Sequence, residues 1–521
     1  MRPGRALRWA VLLCAGLLYA ATMSGTIVSS DGHTMFQLTR SLVERGSFDV
    51  PSGNAFAGPD GRLYPKAGLG QALLGAPLYW AASRAAGLSP ALAHRREAWQ
   101  KFVLQLLGPL AGALLAWVFL GLLLDRGAAP RRALLGTALL SLATPAWPYA
   151  KTYLTEPFTA WLLLAAFAAA WRFRATGEAR QALWAGLASG FAVLTKEALA
   201  LPVLALAGYF LYCMARGPRP ARALLAALAP LAACAALLLF YNHARFGSWL
   251  ESGYGYEQTA SAYSTPLHVG LFGLLLSPGK GLLWFAPPLL LLFTAWPAFH
   301  RAHRAEAWTA LGIVVPSLLL NASFRAWGGD GSWGPRYLQP FVPLLALPVA
   351  LWIAAPASRA ARRVAMALLV AGALVQWGGV SVYYGSYLRE TGAYPYTRAF
   401  EDPRFLEDVH WVPNYSPIVG HWAMFRRNLG EHLRGEWPRV TLAQGADEAA
   451  TQRIPLSGGD QARLLHGLDF WFLYPLYVGA AGPQLALAAL AMLLAALAAG
   501  VAAWRVAAGL ERAAAGPGRA P

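Results

Sequence analysis

Charge is scarce in this chain. Asp, Glu, Lys and Arg make up 13% of its 521 residues, while 57% are hydrophobic and the mean hydropathy is +0.41. A soluble domain of this length would carry about twice that charged fraction, so a water-filled exterior all round is excluded. Cysteine is almost absent as well. Cys14, Cys213 and Cys234 each lie inside an apolar run, which suits packing and neither a zinc site nor a disulfide framework. Lysine is rarer than arginine by a wide margin, with Lys66, Lys101, Lys151, Lys196 and Lys280 the complete set.

Long apolar runs are abundant. They recur at lengths of 17–25 residues, enough to cross about 30 Å of hydrocarbon. We place about twelve transmembrane helices near 8–28, 102–124, 131–149, 155–172, 182–196, 198–214, 223–241, 281–299, 306–321, 338–354, 363–384 and 475–504. The first, behind Arg2, Arg5 and Arg8, has no clear small-residue cleavage site and reads as a retained anchor. The net charge of +18 does not indicate nucleic acid, because the arginines cluster in short turns between apolar runs. Arg126, Arg131 and Arg132, then Arg172, Arg174 and Arg180, then Arg216, Arg219 and Arg222 are such clusters. By the positive-inside rule they face the cytoplasm, which puts both termini there too.

The expected fold class is therefore an all-α polytopic membrane protein with extracytoplasmic juxtamembrane helices and loops. Residues 1–384 form the transmembrane domain, including a first extracytoplasmic loop at 29–101. Residues 385–474 form an extracytoplasmic segment with an amphipathic helix around "HWAMFRRNLGEHL", and 475–521 supply the last span and a cytoplasmic tail. Within the first loop, "AGLGQALLGAPLYW" is apolar but interrupted by Gln71 and Pro77, so it reads as an interfacial or re-entrant helix.

The chemistry-bearing residues gather at the outer ends of the spans. Asp31 follows the first span and Glu156 opens the fourth in "TEP". Lys66, Lys280, Arg245 and Arg336 face the same compartment. Asp31 also suits the N-cap of a helix starting near His33, and Glu156 suits a first-turn carboxylate before Pro157. Lys196–Glu197 interrupts an apolar run and reads as a structural pair or a helix break. Lys151 reads as a lysine snorkelling to the interface. Lone histidines such as His33 and His243 read as structural. Taken together, the cations and carboxylates suit a substrate with an anionic head at the membrane surface and a long apolar tail. A saccharide linked to a polyprenyl phosphate is such a substrate: cations hold the phosphate, and one carboxylate activates the acceptor.

Two motifs carry a family resemblance. "SDGHTMFQLTRSLVERGSFDVP" places an acidic residue after the first span and a helix ending in an ERG turn. "LYPKAGLGQALLGAPLY" places an aromatic residue and a lysine before an apolar juxtamembrane helix. These resemble membrane glycosyltransferases of the GT-C fold, in particular bacterial relatives of the protein O-mannosyltransferases and of the lipid A aminoarabinose transferase. The resemblance implies an inverting transfer from a polyprenyl-phosphate-linked sugar to a glycan, lipid or protein acceptor, at the outer face of the inner (cytoplasmic) membrane. It makes Asp31 the catalytic base and Lys66 a contact to the lipid phosphate. Glu156, in "TYLTEPFTAWLLL", would orient the acceptor or the base. Lys280, Arg336 and Arg245 would join Lys66 at the donor phosphate, with His33, Tyr64, Lys196 and Glu197 supporting the acceptor or the structure. Two departures stand out. The usual Asp-Glu pair is Asp31-Gly32 here, and Pro65 stands where some relatives place a glutamate. The divalent metal of such relatives is therefore not assumed, and no cofactor is assigned. A transporter or flippase of lipid-linked glycan remains a competing reading, as does a non-catalytic protein that binds such a lipid.

Overall fold

The computed structural model describes residues 3–27, 29–216, 221–255, 259–329, 331–355, 358–394, 396–399, 402, 404–439, 464–477 and 484–515. Arg219 and much of the 385–474 segment lie outside them.

Helices dominate because the apolar runs are rich in Ala and Leu and because lipid leaves no water to satisfy an open backbone. Among the described residues, eight helices are long and apolar enough to cross a membrane, the most deeply buried window lying within Arg96–Asp125. The other expected spans also fall on helices, but shorter, broken or more polar ones. The run at 131–149 divides into Pro130–Leu142 and Ala146–Ala150, and 281–299 divides around Pro287 and Pro288 into Leu282–Phe285 and Leu292–Ala302. Ala179–Thr195 is only 17 residues long, and Glu156–Thr176 carries Arg172 and Arg174 in its last turns. The final helix, Gln484–Ala515, starts later than the expected 475. It packs along the first helix, Pro3–Ala21, through small residues: Ala503 and Ala507 are buried, and a Cβ on Gly500 would stand 3.4 Å from Cys14 Sγ. Small residues of this kind let membrane helices approach closely.

The first loop is built as expected around a helix, Leu69–Leu88, which contains Pro77 and is not among the eight. Before it, Ala55–Ala57 and Leu63–Pro65 pair antiparallel as a short hairpin. The start of the 69–88 helix presses against the break after Thr195. A Cβ on Gly68 would stand 2.5 Å from the carbonyl oxygens of Leu194 and Thr195, so only glycine fits there.

The 385–474 segment carries the expected amphipathic helix as Pro417–Leu433. Its buried face packs on the helix Arg359–Ser381, and His421 Nδ1 stands 3.0 Å from the Gly378 carbonyl. Residues 464–477 then form a strap back to the end of the first span. Trp471 N donates to Met23 O at 3.0 Å and Asp469 N to Ser381 O at 2.9 Å.

Candidate functional site

Asp31 does not cap its helix. The helix runs Ser30–Arg45 and the cap is Ser29, whose hydroxyl accepts from Gly32 N at 3.1 Å. Asp31 therefore lies in the first turn, and both its oxygens have other partners. Oδ2 accepts from Arg336 Nη2 at 2.7 Å, and Oδ1 accepts from Asn54 Nδ2 at 3.0 Å. Asn54 is placed by the residue before it. Gly53 has φ +112, and a Cβ there would meet Thr34 Oγ1 at 2.5 Å. The same Thr34 hydroxyl accepts from Asn54 N at 2.9 Å, fixing the turn against the Asp31 helix.

Glu156 is the first residue of Glu156–Thr176 and is fully buried. Its Oε1 accepts from Arg336 Nε at 2.9 Å and from Lys196 Nζ at 3.2 Å. One guanidinium thus bridges two carboxylates that lie 125 positions apart in the chain, the kind of planar, multidentate contact that arginine makes and lysine cannot. Arg336 reaches them from the start of a 3₁₀ turn, Arg336–Phe341, entered through Gly334 at φ +60. Lys196 stands at the break between Ala179–Thr195 and the turn Glu197–Leu199. The break was expected, but the pairing is different: Lys196 bonds Glu156 and turns away from its neighbour Glu197.

Asp31, Arg336 and Lys196 line one cavity of about 350 Å³, a size typical of small-ligand sites, with the buried Glu156 bonded to the last two. Asp31, Asn54, Lys66, Lys196, Glu197 and Arg336 supply its polar wall, and Tyr254, Tyr263 and Tyr337 supply aromatic faces. Lys66 Nζ stands 5.4 Å from the centre of the Tyr254 ring, and Lys196 Nζ 5.4 Å from that of Tyr337. Burial alone would raise the Asp31 carboxyl; the Arg336 guanidinium, the Asn54 amide and Lys66 outweigh it and hold the group at about 2. Asp31 is therefore ionised at neutral pH. Glu197 keeps one buried carboxylate oxygen without a hydrogen-bond partner in the cavity wall.

Five expected site residues do not line this cavity: Glu156, which is tied to it through Arg336 and Lys196, and four others. Arg245 is fully buried behind the hairpin, where its guanidinium bonds the Pro65 carbonyl and Asn242 Oδ1 and lies 3.6 Å over the Tyr241 ring. It braces the strand that leads into Lys66. Lys280 is also fully buried, donating to Ser332 O at 2.6 Å beneath the loop that precedes Arg336. His33 pairs with Gln37 at 2.7 Å, and burial with nearby Lys101 lowers it to about 4, so it is neutral. Tyr64 donates to Asp60 Oδ2 at 2.7 Å and is pushed up to about 12 by burial and that carboxylate. Lys151 differs most from expectation. Rather than snorkelling, it is buried and bonds Asp469 Oδ2 at 2.7 Å, together with the carbonyls of Val380 and Asp469.

Sequence reasoning missed Asn54, Tyr263 and Tyr337, which have no charge to single them out in a chain rich in aromatics. The turn residues Pro51, Ser52 and Gly53 were the only signal near Asn54. Among the described residues, no three His, Cys, Asp or Glu side chains come together as a metal site would need.

No family model matches the chain, and no curated protein matches it. Among solved structures it is similar to ArnT from Cupriavidus metallidurans bound to undecaprenyl phosphate, at 16% identity and a TM-score of 0.47, over 87% of this chain and 86% of that one. The apo state of the same protein gives 16% identity and a TM-score of 0.48, over 86% and 85%.

Proposed function

We propose that this protein is a membrane glycosyltransferase that moves a sugar from a polyprenyl-phosphate donor to an acceptor nucleophile. The observation that supports it is the Arg336 bridge. In a cavity at the ends of membrane helices, one guanidinium ties the lining carboxylate Asp31 to the buried Glu156, with Lys66 and Lys196 beside it.

In the resting site Asp31 is ionised but tied to Arg336, which makes it a weak base. A phosphate entering beside Lys66 competes for the guanidinium. As Arg336 turns toward the phosphate, Asp31 loses its strongest partner and its proton affinity rises. Glu156, itself held by Lys196, keeps the other side of the guanidinium anchored. The acceptor hydroxyl or amine then attacks the anomeric carbon and gives its proton to Asp31 Oδ2. The bond from that carbon to the phosphate oxygen breaks, and polyprenyl phosphate departs with one more negative charge than it had as a diester. Lys66 and Arg336 stabilise that charge. Attack opposite the leaving group inverts the anomeric centre. General-base assistance of this kind contributes about 10²–10⁴-fold.

The transporter reading drew on intramembrane charge at Lys196–Glu197, and Lys196 is engaged by Glu156.

Native mass spectrometry of the purified protein tests donor binding. A co-purifying polyprenyl phosphate, lost in Lys66→Ala and Arg336→Ala but kept in Asp31→Asn, supports the site. Sugar transfer in membranes should vanish in Asp31→Asn. Full transfer by that variant would remove Asp31 from the chemistry.

A further inference from the structure

The helix Pro417–Leu433 has two opposite faces. Pro417, His421, Met424 and Asn428 are buried and point to one side. Val419, Trp422, Arg426, Leu429 and Leu433 follow at helical spacing on the other. That outer stripe is open: Val419, Leu429 and Leu433 are 61%, 37% and 80% exposed. An apolar stripe so exposed on a segment outside the spans calls for a partner.

The neighbouring span says which partner. Trp422 Nε1 donates to the Leu374 carbonyl at 3.0 Å, and Leu374 lies seven residues before the end of Arg359–Ser381. Seven residues of helix are about 10 Å, so the indole reaches below the end of a span that is itself roughly 34 Å long. With the span centred on a hydrocarbon core about 30 Å thick, the Trp422 contact lies roughly 8 Å below the outer boundary, within the depth of about 5–10 Å of an interfacial helix. On the same span Val370 and Leu374 are 50% and 51% exposed and face lipid. The apolar surface of the span therefore continues, through Trp422, into the stripe of the 417–433 helix. Within that stripe Arg426 is exposed and makes no ion pair among the described residues. An arginine between a tryptophan and leucines matches a phospholipid headgroup lying over acyl chains.

We propose that the 417–433 helix is an interfacial anchor, seated with its Val419–Leu433 stripe in the bilayer leaflet on the site's side and with Arg426 on an anionic headgroup. The seat bears on the strap behind it. Asn428, on the buried face, donates to Leu465 O at 3.0 Å and Gly467 O at 2.7 Å. Those carbonyls lie just before Asp469, the partner of Lys151. Lipid contact thereby fixes the strap that ties the end of the first span to Lys151. The inference holds whatever reaction the cavity performs.

Spin labels placed on the full chain in nanodiscs test it, after the native Cys14, Cys213 and Cys234 are replaced by Ala. Labels at Leu429→Cys and Leu433→Cys should collide with oxygen more than with a water-soluble nickel complex. A label at Asp408→Cys, exposed on the same segment, should show the reverse. Changing the lipid from phosphatidylcholine to phosphatidylglycerol should deepen the first two labels, and Arg426→Gln should abolish that difference. Nickel access at 429 and 433 equal to that at 408 overturns the proposal. So does loss of access to both reagents, which would mean that protein covers the face. An unchanged lipid dependence in Arg426→Gln overturns the headgroup contact.

Discussion

Replacing Arg336 by Met tests the bridge most directly. The substitution keeps most of the apolar stem and removes two charge-assisted hydrogen bonds, at 2.7 Å to Asp31 and 2.9 Å to Glu156. Each such bond contributes about 1.5–3 kcal/mol. The two are unequal. The Asp31 side chain is 35% exposed, so solvent screens its loss and about 1 kcal/mol is the fair share. Glu156 has no exposure and, among the described residues, keeps Lys196 at 3.2 Å as its one cation, with the Thr155 hydroxyl at 3.5 Å. A buried carboxylate robbed of a partner costs about 3–5 kcal/mol, with the lower end apt here because one cation stays. The expected loss is therefore about 4 kcal/mol in all, mostly from Glu156. A double variant, Arg336→Met with Glu156→Gln, should recover at least half of it, because a neutral amide tolerates burial where a charge does not. Tryptophan-fluorescence unfolding in detergent, run on wild type, both single variants and the double, reads the coupling. If the double variant loses stability by the sum of the two singles, the two groups are not coupled and the bridge does not hold the site.

Three further outcomes follow from the same geometry. Asp31 is depressed from 3.8 to about 2, so its contribution to stability is full above pH 4 and disappears as pH falls through 2. In a pH–rate series, the acid limb of kcat/KM due to Asp31 should accordingly lie below pH 4, and that of kcat at higher pH once the donor has drawn Arg336 away; coincident limbs would refute that exchange. Gly53→Ala should cost about 1–3 kcal/mol through strain at φ +112 and the Thr34 clash, and should weaken transfer by displacing Asn54 from Asp31. Undiminished thermal stability and activity in that variant would show that the turn does not set Asp31. Lys280→Met should lower the unfolding temperature while leaving polyprenyl-phosphate binding by native mass spectrometry intact, since Lys280 is spent on Ser332 and lies off the cavity. Loss of the lipid in a folded variant would return it to the donor site.

The helical membrane fold was legible because apolar length and arginine placement respond directly to the bilayer. Asp31, Glu156, Lys66 and Arg336 could be singled out because carboxylates and lysines are scarce in this chain and these flank spans on the side away from the arginine-rich turns. Direction was not legible. Arg245 and Lys280 share the motif company of Arg336, yet their side chains turn into the protein, and nothing in "NHARFGS" or "SPGKGLL" distinguishes inward from outward. The pairing of Lys196 was misread for the same reason, since its partner Glu156 is 40 residues away while Glu197 is adjacent. Asn54 escaped notice because an uncharged amide in a turn gains its role only from what stands opposite.

The Lys151–Asp469 bond joins residues 318 positions apart. At about 5–20 residues per second, a ribosome needs roughly 16–64 s to make that stretch. Through that interval the lysine has been inserted, but the carboxylate that will neutralise it does not yet exist. A chain that stops anywhere before residue 469 keeps an unmatched ammonium where the finished protein has none. Quality control in the membrane would have a chemical mark by which to tell an incomplete copy from a complete one.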